Sequence, residues 1–165
     1  MIFLLALVAG CAKPPDLSQT LVKAGSADEL AAFRADLGNR FTADQLKDFD
    51  TATKELQLDA MSHGIKAAAD RETAMLRAID GRTVGQALVA GWQARHRRLE
   101  GETKQISELL ASDLKARDQA VAKGRSPSSA VETHIQNEQE ILARLNRDLA
   151  ATDQQLAAWG ARPSH

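Results

Sequence analysis

The sequence predicts an all-α fold: short N-terminal helices followed by a long antiparallel helical hairpin with coiled-coil character. Three observations predict it. Apolar residues recur at helical spacing, and nowhere does strand-like alternation persist. Helix-start signals, a Ser or Thr with Glu or Gln three residues on, stand before several of the apolar stripes. The last two stripes match each other when the chain is reversed near Ser126. The composition agrees, with aromatic residues at 4%, no Tyr, and charges of both signs summing to -1. Such a balance suits solvated helix faces and argues against a nucleic-acid partner, which calls for a basic excess. The 165 residues are enough for one domain.

Taken in order, Ser26-Ala27-Asp28-Glu29 is a capping box that opens a helix carrying Leu30, Phe33 and Leu37. Gly38 is the expected residue just past its end. Thr42-Ala43-Asp44-Gln45 is a second box, with Phe41 and Leu46 placed as a hydrophobic staple. The stripe that follows, Leu46, Phe49, Thr53, Leu56, Ala60 and Ala67, is compatible with one helix as far as Ile79, with Gly64 as its weak point. Asp80-Gly81-Arg82-Thr83 reads as a turn and a threonine N-cap.

From Val84 to Lys123 a single long helix is expected, striped by Leu88, Trp92, Leu99, Ile106, Leu110, Leu114 and Val121. Gly85, Gly91 and Gly101 are the places where it would break. Gly124, Ser126 and Pro127 end it. Ser129-Ala130-Val131-Glu132 is a third capping box. In the last helix Ile135, Leu142, Leu149 and Leu156 repeat every seven residues. Val131, Leu145 and Trp159 form the companion series, interrupted by Glu138 and Thr152. With equal rise per residue, the reversal sets Val121 against Val131 and Leu110 against Leu142, and brings Trp92 level with Trp159.

The N-terminus carries a different signal. Residues 1–9 are uninterruptedly apolar, about half the ~20 residues a spanning helix needs. Gly10 and the chain's only cysteine, Cys11, follow. A lone cysteine forms no internal disulfide. An apolar N-terminal element with an ordinary buried cysteine is one reading; a signal-peptide core with small residues before a cut is the other.

Leu7-Val8-Ala9-Gly10-Cys11 resembles the lipobox of bacterial lipoproteins. That resemblance implies cleavage before Cys11, a diacylglycerol thioether on its sulfur and an acyl chain, such as palmitate, on its amino group. It further implies anchoring in a lipid bilayer, with several chains holding where one would exchange. Ala12, where that family places a retention aspartate, points to the periplasmic face of the outer membrane. The family's basic residue before the apolar run is missing after Met1, so an upstream start is expected. The organisation that follows is a signal peptide over 1–10, a lipidated N-terminus and tether over 11–25, an N-terminal helical region over 26–82 and the hairpin over 83–160. Ser26/Glu29, Thr42/Gln45, Phe49 and the Asp80–Thr83 turn are similar to features of a group of small bacterial lipoproteins, which brings no activity with it.

Few residues suggest chemistry. Asp59/His63 and His134/Glu138 sit one helical turn apart, but a tetrahedral metal site needs three or four ligands, so neither a metal nor a cofactor is expected. Arg95, Arg97 and Arg98, around His96, form a short basic run: a solvated helix face in one reading, a contact for an anionic partner in the other. Trp92 and Trp159 are core residues in one reading and partner-binding anchors in the other.

The expectation is therefore a non-enzymatic envelope lipoprotein that contacts another protein or a second copy. The alternative is a small-ligand or envelope-polymer binding domain, with a cleft lined by Trp92 or Trp159 and Arg95 or Arg98. An enzyme would require carboxylates or a histidine converging from separate helices.

Overall fold

The computed structural model describes residues Asp16–Ala161, and within them five α-helices. They are α1 (Ala27–Gly38), α2 (Ala43–Ser62), α3 (Ala68–Ile79), α4 (Val84–Ala122) and α5 (Ser129–Ala158). A 3-10 turn, Leu17–Gln19, precedes them. The fold is all-α, and α4 and α5 form the expected hairpin.

The caps explain most of the boundaries. The Ser26 hydroxyl accepts from the Glu29 N–H at 3.1 Å and starts α1. The reciprocal half of a capping box is formed at Thr42/Gln45 and at Thr83/Gln86, where the glutamine amide oxygen accepts from the cap residue's own N–H. Each such cap is worth about 1 kcal/mol.

Three boundaries differ from the sequence reading. Gly38 lies inside the last turn of α1 rather than in a left-handed position beyond it; Asn39 is the C-cap. The stripe from Leu46 to Ile79 makes two helices, because Gly64 takes φ +89° and ends α2. The cap of α5 is Ser128, whose hydroxyl accepts from the Val131 N–H at 3.3 Å, so the chain enters that helix one residue early. As expected, α4 is one helix: Gly85, Gly91 and Gly101 do not interrupt it, and it runs 39 residues, about 60 Å at ~1.5 Å per residue.

Residues expected as tether belong in part to the fold. Leu17, Val22 and Ala24 are buried. Val22 N–H donates to the Arg82 carbonyl and Val84 N–H to the Thr20 carbonyl, both at 2.8 Å, around an isolated bridge between Leu21 and Thr83. The Ala24 N–H donates to the Asp80 carboxylate at 2.8 Å. This strap holds the turn that launches α4.

The core lies at the base of the hairpin. Phe33 and Phe49 meet edge to face at 6.2 Å, and Leu37, Ala52, Met75, Ile79, Leu88 and Leu156 close round them. The eight buried residues of α4 all fall between Val84 and Leu99. Beyond Leu99 α4 has no buried residue, and α5 runs beside it with two buried side chains, Ile135 and Leu145. The distal half of the hairpin is therefore a two-helix arm projecting from a five-helix base. Its register follows His96–Asp153 and Asp113–His134, at 3.2 and 3.6 Å, within about one turn of expectation. The seam opens at the tip: Val121, expected against Val131, is 58% exposed. No helix among the described residues is long and apolar enough to cross a membrane.

Candidate functional site

The basic run of α4 lies at the waist where arm meets base. Arg98 donates to both carboxylate oxygens of Glu55 on α2, at 2.8 to 3.1 Å, and to Glu102 at 2.8 Å. Arg95 reaches the same Glu55 at 3.4 Å, and its guanidinium lies 5.7 Å from the centre of the Trp92 ring. Arg97 donates to Asp59 at 3.1 Å. His96, on the buried side of the helix, lies between Glu100 at 3.4 Å and Asp153 of α5 at 3.2 Å. Burial works against the Arg98 charge, but the hydrogen bonds to Glu102 and Glu55 outweigh it and raise its pKa above the ordinary arginine value.

These four consecutive side chains tie α4 to α2 on one flank and to α5 on the other. Their charges are matched inside the protein, which makes them a clasp rather than an open anion site. Glu55, 6% exposed, is its hub. Sequence reasoning passed over Glu55, although a carboxylate three residues after Ala52 on an apolar stripe is itself a signal, since a buried charge must be paired.

The two tryptophans separate. Trp92 belongs to the core, and its indole N–H has no acceptor among the described residues. Trp159 caps α5, half-buried, and forms one wall of a surface cleft of about 630 Å³. Gln19, Arg82, Gln86 and Gln93 provide the polar part of that cleft, and Val89 and Ala90 its floor. The expected pairing of a tryptophan with Arg95 or Arg98 is not what lines it; the arginine there is Arg82.

The histidine pairs make local contacts. The His63 ring nitrogen is 2.8 Å from the Asp59 carbonyl oxygen, and His134 faces Asp113 rather than Glu138. No three His, Cys, Asp or Glu side chains are grouped for a metal among the described residues. Leu7, Val8, Ala9, Gly10 and Cys11 lie outside the described residues.

The arm has its own surface. Ile106, Leu110 and Leu114 of α4 and Leu142 and Leu149 of α5 form its seam and are each only half-buried. Leu109 stands 47% exposed beside them. No protein family, characterised protein or solved structure matches the chain.

Proposed function

We propose that this chain is an envelope lipoprotein, anchored through an acylated Cys11, whose helical domain works by contact with a protein partner or a second copy rather than by catalysis. The observation that carries the contact reading is the arm. Two helices alone leave the outer flanks of their Leu and Ile side chains in water, and a further helix or pair of helices laid along them would bury that surface. The clasp at Glu55 and Arg98 supports the reading because it fixes the arm to the base and gives it one direction. The lipobox resemblance at Leu7–Cys11 supports the anchor, and with it a place at the periplasmic face of the outer membrane.

Two measurements test the proposal. Palmitate labelling of the wild type should be lost in Cys11→Ser; equal labelling of the two removes the anchor. Sedimentation of the full-length protein in detergent should give a species larger than one chain, or a defined complex after envelope cross-linking. Leu110→Glu with Leu142→Glu, on the two halves of the seam, should abolish it. A lone, uncross-linked chain at high concentration in both preparations sinks the contact reading.

A second reading rests on the cleft beside Trp159. A half-buried indole next to glutamine amides and a guanidinium is a lining suited to a neutral polar ligand such as an envelope glycan. Quenching of the Trp159 fluorescence by chito-oligosaccharide, absent in Trp159→Phe, would favour it.

A further inference from the structure

The strap that holds the base leaves one of its own edges open. In an antiparallel bridge, alternate residues direct their main-chain groups to opposite sides. Thr20 and Val22 bond inward, to Val84, Arg82 and Gly81. Among the described residues, Leu21 and Lys23 take part in no hydrogen bond, and both are exposed. They border a groove of about 700 Å³ between the strap and α1. Leu21, 60% exposed, stands in it opposite Ala32 and Phe33.

We infer that this groove binds an extended peptide segment of a partner protein, which adds to the strap as a further strand. Three observations converge on that occupant. The open N–H and C=O groups of Leu21 and Lys23 are the template a peptide backbone completes. The exposed side chains of Leu21 and Ala32 offer apolar contact for alternate residues of a strand. Around the rim, Arg40 and Asp36 pair with each other at 2.7 Å, which leaves Glu29 and Asp80 against the single cation Lys23. The favoured segment is therefore extended, apolar at alternate positions and basic between them. The groove lies in the base, so this inference stands apart from the role of the arm.

The test uses the full-length protein in detergent micelles and a fluorescein-linked pentapeptide, Val-Lys-Val-Thr-Val, read by anisotropy. Saturable binding is expected. N-methylation of the peptide backbone in one alternating frame should weaken binding about tenfold or more, and in the other frame hardly at all, because only one set of N–H groups faces the strap.

Leu21→Pro removes a strap N–H that the fold does not use. Thr20 already has φ -70° and ψ 127°, the extended geometry a following proline requires. This variant should keep the wild-type unfolding midpoint and lose binding, again about tenfold. Leu21→Asn keeps the N–H and should show the same sensitivity to N-methylation at reduced affinity. No saturable binding below about 1 mM, the weak end of specific recognition, overturns the inference. So does equal affinity for the two N-methylated frames, a result that stands even if Leu21→Pro fails to fold.

Discussion

Gly91 of α4 crosses Ala52 of α2 so closely that a methyl group at position 91 would fall inside van der Waals contact with the Ala52 backbone and its Cβ. Two helices approach this nearly only where one of them has no side chain. The crossing brings the downstream residues of each helix together, so that Glu55 meets Arg95 and Arg98 a turn or two further on. The position of the clasp thus follows from a missing methyl.

The first prediction contrasts two glycines of one helix. Gly91→Ala should destabilise the protein by about 1–3 kcal/mol, since the overpacking cost exceeds the gain in helix propensity. Gly101→Ala, with nothing within 4 Å of the added methyl, should stabilise it by about 0.5–1 kcal/mol. Urea unfolding followed by circular dichroism measures both. A stabilised Gly91→Ala would contradict the crossing.

The second prediction concerns the hub carboxylate. Glu55→Ala leaves Arg95 and Arg98 facing a void at the waist, and Arg98→Ala leaves Glu55 buried without its bidentate partner. Each should cost about 3 kcal/mol, the scale for breaking a largely buried pair. The double variant should cost clearly less than the sum of the singles. Glu55→Met with Arg98→Met, which fills the space with apolar side chains, should come within about 1 kcal/mol of wild type. Additive single effects in the cycle would show that the two residues do not act as a pair.

The third prediction is a pH dependence. Burial raises the pKa of Asp48, which sits close to the strap and Trp159; Lys47 partly opposes that shift and Asp44 adds to it. A carboxyl with a raised folded-state pKa binds its proton more tightly folded than unfolded. It therefore weakens the fold above that pKa, and the penalty disappears as pH falls below the ordinary carboxylate value. Asp48→Asn should be slightly more stable than wild type at neutral pH, by no more than about 0.5 kcal/mol at a site that is only half-buried and still screened by solvent. The two should converge in acid. Unfolding midpoints across the acid range read the difference, and a gap that widens as pH falls would reverse the sign.

The fourth prediction concerns the seam. Glu138 interrupts the apolar series of α5, and one of its carboxylate oxygens is buried without a hydrogen-bond partner among the described residues. Glu138→Leu should stabilise the arm by about 1 kcal/mol, the order of the desolvation cost removed. Hydrogen exchange resolves where the gain falls. Amides of the arm should exchange faster than those around Phe49 and Leu88 in the wild type, and the substitution should slow the arm alone. Uniform protection along α4 would mean that arm and base open together.

Much of this architecture is legible in the sequence because it is written in local signals. The caps at Ser26, Thr42 and Thr83 and the seven-residue spacing of Ile135, Leu142, Leu149 and Leu156 each report on a few neighbouring residues. What escapes notice is long-range. Gly64 and Gly101 look alike in a helical stripe, yet one ends a helix and the other sits in the middle of one; the flanking contacts decide. The run Arg95 to Arg98 resembles a free basic face because its counter-charges, Glu55 and Asp59, stand some forty positions earlier in the chain. The strap is hidden for the same reason: Val22 and Ala24 are buried by a turn that lies near residue 81.

If Cys11 carries the proposed lipid anchor, the embedding of Leu17 sets how far the fold can stand from the bilayer. Only five residues separate Cys11 from Leu17, a leash of at most about 22 Å when fully stretched. A chain fixed by fatty acids at that cysteine would ride with its base close above the lipid headgroups. The strap meets α4 at its first turn, Ser18 lying against Gly85, so the far end of that helix stands about 60 Å away. Such a molecule would behave as a short mast, its foot on the bilayer and its tip reaching toward whatever lies across the gap.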